Sequence, residues 1–431
     1  MKIPGGWLAL RRSFAIRDYR LFTIGNLTSN VGLWAQRVAL GWLTWELTHS
    51  TAWLGGIAVA ESLPTFVLGL IAGTVVDRAN YLKLLRTTQA LSLAYSLLMT
   101  ALVLAGWINI WLLLFLVLIR GSLGAFNRPS RMTVIFALVG RDLLTTAVTV
   151  NSIVFNISRF IGPAVGGWII VAAGIGWAYA AAAAMFAVFT LVLALIKTEF
   201  AEPPARAAST LAADAVAGLR YMVTHPGIGV MMGVLVVVAF LVKPLTDLLP
   251  GFVGEVFARG PDGLAALMSA HGAGAMAAAA YLASRGRGIQ GLTRVNLCGI
   301  ALASVAALAF AVISAFWMAL VLVAVIGFAF ILQNVSNQTL LQAAADPSMR
   351  GRVISNYGLV NQGVPAIGAL VIGGIAEHTG LNGPVAVGAV LCIGAWAWAW
   401  RLRHRLADNL EVEKEHHRTT FASGQEREAP T

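Results

Sequence analysis

Leu114-Phe-Leu-Val-Leu-Ile-Arg-Gly-Ser-Leu-Gly-Ala-Phe-Asn-Arg-Pro-Ser-Arg131 begins as a lipid-soluble helix and then places Arg120 inside the apolar run. A charged side chain at bilayer depth costs at least ~2.5–3.5 kcal/mol on insertion scales. Chains tolerate that cost where the charge faces protein or a water-filled chamber. The stretch therefore predicts a membrane helix with a polar, inward-turned face.

The rest of the chain supports a membrane reading. Its 431 residues are 58% hydrophobic and 11% charged, against about 25% charged in soluble domains. Apolar runs long enough to cross ~30 Å of hydrocarbon recur at 20–47, 52–74, 84–105, 110–138, 143–172 and 175–197, and again at 228–257, 263–283, 293–313, 315–343, 352–376 and 382–403. The expected fold is an all-α integral membrane protein of twelve transmembrane helices in two six-helix bundles. Residues 1–19 read as a cytoplasmic N-terminal segment, 20–197 as the first bundle and 228–404 as the second. Between them, 198–227 reads as a cytoplasmic linker with an amphipathic helix near Leu211–Val223, lying along the membrane surface. The charged segment 405–431 reads as a disordered cytoplasmic tail. The basic start, Lys2 to Arg20, lacks a short apolar core with a cleavage site, so the first helix is expected to remain as an anchor.

The net charge of +11 raises the question of a polyanionic partner. Of the 30 Lys and Arg residues, 25 fall in alternate polar segments that include both ends of the chain. This one-sided distribution is the positive-inside pattern. It predicts a multi-pass membrane protein with both termini in the cytoplasm, and no nucleic-acid partner. Cys298 and Cys392 lie in apolar runs, and the histidines are scattered. Neither pattern gives a disulfide framework, a metal site or a cofactor.

Polar residues inside the spans fall on helical stripes. Asn26, Asn30, Trp34, Arg37 and Gly41 form one in span one; Arg120, Gly124, Asn127 and Arg131 form one in span four. Ser152, Asn156, Arg159, Pro163 and Gly166 form one in span five. Span ten offers two pairs, Gln333 with Asn337 and Asn334 with Gln338. Such amides either line a substrate path or hold neighbouring helices together. Glu61 lies at a depth comparable to Arg37 in the antiparallel neighbour, which predicts an ion pair between them. A partly buried carboxylate of this kind suits proton carriage. Lys243 and Asp247, at i and i+4, are spaced to neutralise one another. Gly73, Asp77, Arg78 and Asn80 suggest a latch between spans two and three, with Asn80 in the left-handed turn that ends a helix. Gly162, Pro163, Gly166 and Gly167 permit a bend and a close crossing in span five.

Taken together, these residues resemble the major facilitator superfamily. Gly73-x-x-x-Asp77-Arg78 with Lys83 is similar to the loop signature between helices two and three, though Asn80 stands where the family usually has Gly. Arg120-Gly-x-x-Gly124 is similar to the helix-four signature, and Gly162-Pro163-x-x-Gly166-Gly167 to the helix-five signature associated with exporters. Phe14-x-x-x-Asp18-Tyr19-Arg20, Phe126-Asn-Arg-Pro-Ser-Arg131 and Leu219-Arg-Tyr-Met-Val-Thr-His225-Pro226 resemble the bacterial branch of enterobactin exporters and drug-efflux proteins. The resemblance implies a monomeric proton-coupled exporter in the bacterial inner membrane, with membrane lipids around it, that moves a small-molecule substrate, a siderophore or amphipathic drug, by alternating access. Leu33 replaces the acidic residue common in helix one of that branch, which turns attention to Glu61 or Asp247 as proton carrier, with Arg120 as their switch.

The expected cavity residues are Asn26, Asn30, Trp34, Arg37, Glu61 and Arg120, with Asn127, Asn156, Arg159, Asp247, Gln333 and Asn337. A lipid or lysophospholipid translocator of the same fold is the alternative. No phosphate-binding loop occurs, so an ion gradient is the expected energy source. The chain carries no HExxH and no persuasive nucleophile set, and an enzyme is not expected.

Overall fold

The computed structural model describes residues 6–198 and 211–411 apart from 79, 141 and 287; the side chains of residues 6, 7, 70–78 and 211–215 lie outside that description. Its helices are α1 (Gly6–Ala15), α2 (Arg17–Thr48), α3 (Thr51–Arg78), α4 (Tyr81–Leu104), α5 (Ile110–Val139), α6 (Leu144–Ala173) and α7 (Ile175–Leu195). Then come α8 (Leu211–Thr224), α9 (Pro226–Leu241), α10 (Leu245–Gly251), α11 (Pro261–Ser284) and α12 (Leu292–Val312). The series ends with α13 (Phe316–Ala344), α14 (Arg350–Thr379), α15 (Asn382–Arg401) and α16 (Arg403–Leu410). No strand occurs among the described residues.

Among the described residues, eleven membrane-length segments are apolar enough to span a bilayer, α9 and α10 counting together as one. The twelfth helix, α2, falls short in hydropathy although it is 32 residues long. Asn26, Asn30, Gln36 and Arg37 lower it, and the fold buries the three amides. Helices α2–α7 make one six-helix half and α9–α15 the other.

Local chemistry sets the boundaries. The side chain of Asn109 accepts from Leu112 N at 3.0 Å and starts α5. Asn80 does the same for α4 through Lys83 N at 3.0 Å. Its backbone is extended (φ −63°, ψ 104°). Asn80 therefore opens the next helix, and the expected left-handed ending of the previous one is not found. A short-side-chain amide serves better as an N-cap, where it satisfies an orphan N–H.

Span seven departs from the sequence reading of 228–257 as one helix. It breaks between Leu241 and Leu245, and after α10 continues as a π-helical turn over Phe252–Val256. Pro244 lacks the N–H that would bond back to Phe240 and its ring crowds that carbonyl. The Phe240 carbonyl lies against Gly368 of α14, where a side chain would collide with it.

Three apolar cores hold the molecule, and their distribution is uneven. One core contains residues of both halves, among them Val38, Leu43, Leu54, Leu248, Phe252 and Leu264. A second belongs to the first half alone, around Tyr19, Phe22, Leu85 and Ile135. A third belongs to the second half alone, around Met222, Ile228, Leu340 and Val353. The halves thus share a core at the end carrying the 49–50 and 380–381 connections and keep separate cores at the other. We call these the sealed and the open end.

At the sealed end α3 and α14 meet backbone to backbone. A methyl group added at Gly55 would meet Leu370 Cα at 2.6 Å. Thr51 Oγ1 donates to Gly373 O at 2.8 Å. One Glu377 oxygen accepts from Ser50 Oγ at 2.9 Å, Thr51 Oγ1 at 3.2 Å and Ala52 N at 3.2 Å. A carboxylate of one half therefore caps the first turn of α3 in the other, where the helix dipole favours negative charge.

Candidate functional site

Between the halves lies a cavity of about 470 Å³ whose walls come from both. The first half contributes Trp34, Arg37, Glu61, Phe66, Arg128 and Arg159; the second contributes Lys243, Asp247, His271, Phe330, Asn334 and Asn361. The cavity reaches Gly69 and Gly358 toward the open end, and a side chain at either glycine would enter empty space.

The ion pairs are not those the sequence suggested. Arg120 Nη1 donates to Glu61 Oε1 at 2.6 Å, joining α5 to α3 within the first half. Arg37 Nη2 donates to Asp247 Oδ1 at 3.1 Å, joining α2 to α10 across the halves. The expected Arg37–Glu61 contact is therefore replaced by two separate pairs, with Arg37 and Glu61 both on the cavity wall. Lys243 and Asp247 do not neutralise one another. The break at Pro244 removes the continuous helix that would stack i on i+4, and Lys243 Nζ donates instead to Asn334 Oδ1 at 3.1 Å and to Asn361 Oδ1.

Other cations on the wall hold neutral partners. Arg128 Nη1 donates to Gln362 Oε1 at 3.0 Å, another bond between the halves. Arg159 Nη2 lies 2.9 Å from His271 Nδ1 on α11. A guanidinium only donates, so Nδ1 accepts and the imidazole proton sits on Nε2, which is buried without a partner. The guanidinium carbons of Arg37 and Arg159 lie 5.5 and 5.4 Å from the Trp34 ring centroid. Aromatic faces attract such cations where water is scarce.

Of the residues expected in the cavity, Trp34, Arg37, Glu61, Arg159 and Asp247 line it, and Arg120 stands behind Glu61. The others lie elsewhere. Asn26 Nδ2 donates to Asn151 Oδ1 at 3.0 Å, and Arg131 Nη1 donates to Asn26 Oδ1 at 2.8 Å. Asn30 donates to Asn26, and Asn127 donates to Thr88 Oγ1 at 3.1 Å. Asn156 donates to Ser152 O of its own helix at 2.8 Å. Gln333 and Asn337 are buried within the second half, where Asn296 Nδ2 of α12 donates to Gln333 O. Asn26 and Asn127 thus tie helices within the first half, Asn30 and Asn156 bond within their own helices, and the Gln333 amide and Asn337 Oδ1 are buried without a partner; in α13 the neighbouring stripe supplies the cavity residue, Asn334.

The glycines of α6 provide close packing, with the helix unbroken through Pro163. A methyl at Gly162 would meet Trp34 Cβ at 2.5 Å, and one at Gly166 would meet Ala35 Cα at 2.8 Å. Gly167 instead touches Ala265 of α11, in the other half. The motif thus seats Trp34 and brings the halves together. The latch side chains Gly73, Asp77 and Arg78 lie outside the described residues.

A family model described as transmembrane secretion effector matches residues 11–425. The chain belongs to that family of major facilitator transporters. Its relatives include the multidrug efflux pump Tap of Mycolicibacterium fortuitum, 27% identical over 84% of this chain and 90% of that one. The enterobactin exporter EntS of Shigella boydii is 25% identical over 83% of this chain and 85% of its own length. A staphyloferrin A transporter of Staphylococcus aureus is 28% identical, over only 32% of this chain and 36% of that protein. Among solved structures, a bacterial homologue of the human lysosomal transporter Spinster superposes with a TM-score of 0.67 at 15% identity, covering 95% of this chain and 99% of that one.

As a major facilitator transporter the chain is a multi-pass membrane protein that carries small molecules, and it is not an enzyme. Sequence reasoning missed His271 and Asn361 as wall residues and Glu377 as the cap at the sealed end, and in span ten it chose Gln333 and Asn337 over Asn334 for the cavity. Pro244, following Lys243 in an apolar run, was the sign of the broken helix. Discontinuous helices near the midplane mark binding sites in transporters.

Proposed function

We propose that this transporter is a proton-coupled exporter of small organic molecules, of the siderophore or amphipathic-drug kind, working by alternating access as a monomer. In this reading both termini and the open end face the cytoplasm, in keeping with the distribution of Lys and Arg along the chain. The observation that carries the reading is the Arg37–Asp247 pair, which joins the two halves inside the cavity at 3.1 Å. A bond across a moving interface has to exchange partners when the halves rock. Protonation of Asp247 cancels its attraction for Arg37 and releases that bond, so proton uptake is tied to rearrangement. Glu61 takes the second acidic role, held by Arg120 in the first half, and Arg120 exchanges between this carboxylate, water and cargo. EntS and Tap are named as exporter and efflux pump, which supports the outward direction.

The test is uptake of a substrate panel into everted membrane vesicles with an imposed pH gradient. Wild type accumulates cargo and loses accumulation when the gradient is collapsed. Asp247→Asn retains counterflow but loses the response to the gradient, and Arg120→Ala lowers flux at least ~10-fold. Accumulation that persists after collapse of the gradient, in both wild type and Asp247→Asn, refutes the proposal.

A further inference from the structure

We infer that the cargo of this cavity is a small organic anion carrying at least two acidic groups beside an apolar body. The inference rests on the export reading above and narrows its substrate class. Among the described residues, five basic side chains stand on or directly behind the wall, namely Arg37, Arg120, Arg128, Arg159 and Lys243, against two carboxylates, Glu61 and Asp247. Each carboxylate is already bonded to an arginine. The remaining three cations hold only neutral groups: Gln362, His271, and the pair Asn334 and Asn361.

Leaving a buried cation uncompensated in a membrane interior is expensive, because desolvation is not repaid by an opposite charge; this holds for Lys243, which is buried, and in part for Arg159, whereas Arg128 is exposed to the cavity. Neutral amide oxygens and aromatic faces reduce that cost but do not cancel it. An anion that enters the cavity gains charge-assisted hydrogen bonds, about twice as strong as neutral ones. The three cations come from different elements, Arg128 from α5, Arg159 from α6 and Lys243 from the α9–α10 break. They therefore ask for more than one acidic group. His271 also lines the cavity, and its Nε2–H is buried without a partner. Phe66, Met268, Phe330 and Leu359 supply the apolar wall.

A lipophilic cation meets the opposite situation. It would have to compete with Arg37 and Arg120 for the two carboxylates among the described wall residues, and would face the three remaining positive groups with nothing to offer them. The same cavity that suits a polycarboxylate or polyphenolate thus repels a quaternary ammonium or phosphonium drug.

The experiment uses the purified full-length chain in nanodiscs and four probes. They are trimesate, its neutral trimethyl ester, tetraphenylphosphonium and lysophosphatidylglycerol. Equilibrium binding of trimesate is expected to be at least ~10-fold tighter than that of the ester and of the phosphonium. Lys243→Met and Arg159→Gln each weaken trimesate binding ~10–100-fold, the range of a lost charged hydrogen bond, and leave the ester unchanged. Lys243→Arg keeps the charge and keeps binding. Equal binding of trimesate and ester, or tighter binding of the phosphonium, overturns the inference with wild-type protein alone. Preference for lysophosphatidylglycerol over trimesate overturns the commitment to a soluble anion. Gradient-driven export of the phosphonium would sink the charge assignment and leave the export reading standing. Trimesate binding without any gradient-driven flux would support the charge assignment and remove the export reading.

Discussion

Two arginine–carboxylate pairs sit a short way apart in this transporter and have different positions in its architecture. Arg120 and Glu61 meet at 2.6 Å inside one half, with side chains 11% and 23% exposed. Arg37 and Asp247 meet at 3.1 Å across the halves, with Arg37 39% exposed to the cavity. A pair within a rigid bundle is part of the bundle's stability. A pair between bundles contributes to whichever arrangement of the halves contains it. The comparison separates two roles that a list of buried charges would merge.

The largest effect follows from the first pair. Glu61→Leu leaves Arg120 without its carboxylate, and removing one partner of a buried pair costs about 3–5 kcal/mol. Thermal unfolding in detergent should show a large loss of stability for Glu61→Leu. The double variant Glu61→Leu/Arg120→Leu should recover most of it and remain transport-dead. If the double variant is as unstable as the single one, the pair is not the source of the loss.

Asp247→Asn tests the second pair, and a smaller stability effect is expected. Arg37 faces the cavity and can take water in place of the carboxylate, so about 0–1 kcal/mol is the scale of a partly exposed pair. Its functional effect should be disproportionate, with gradient-driven flux falling at least ~10-fold. A stability loss as large as that of Glu61→Leu would erase the distinction between the pairs.

The fold was legible in the sequence because membrane helices announce themselves by length and hydropathy, and even α2, the most polar of them, was read as an apolar run over 20–47. The wall of the cavity was legible in part from charges inside the spans, at Arg37, Glu61, Arg159 and Asp247, though Arg128 and Lys243 were not expected there. Amides were not legible, since Asn and Gln satisfy themselves equally well against a neighbouring helix. Asn26 found Asn151 and Arg131, whereas Asn361 found Lys243, and nothing in their spacing distinguishes them. The partners of Lys243 were hidden for another reason. An i to i+4 argument assumes an unbroken helix, and Pro244 breaks it. Glu377 escaped notice because its partners, Ser50 to Ala52, are more than 300 residues away in sequence.

Glu377 extends the comparison to a contact across the halves that involves no arginine. It caps α3 from α14, and a lost N-cap costs typically ~1 kcal/mol. Glu377→Ala should therefore shift the balance between states by roughly five-fold toward opening of the sealed end. Thiol labelling of a cysteine placed at Gly383, or distance measurement between spin labels on the two halves, reads that shift. The prediction fails if global unfolding moves by the same amount while the distance distribution stays fixed, for then the cap belongs to the fold and not to the switch.

The smallest effect is expected at a pair outside the cavity, which calibrates the others. Arg17 Nη1 lies 3.5 Å from Asp18 Oδ1, with Arg17 57% exposed. Exposed pairs of this kind contribute little, and Arg17→Ala should change stability by less than ~0.5 kcal/mol. Asp18 itself has more to do, because its other oxygen accepts from Thr198 Oγ1 at 2.7 Å and from the backbone N–H groups of Lys197 and Thr198. Burial raises the Asp18 carboxyl's pKa, but those hydrogen bonds and Arg17 lower it further, leaving it below its ordinary value. A depressed carboxylate adds stability that is present above its unfolded pKa and lost as pH falls through the folded one. Asp18→Asn should therefore remove a small stabilisation at neutral pH and flatten the acid limb of the unfolding profile. Arg17→Ala should leave that limb nearly in place, and a matching change in both variants would mean that the exposed ion pair, not the tie to Lys197 and Thr198, holds the start of α2.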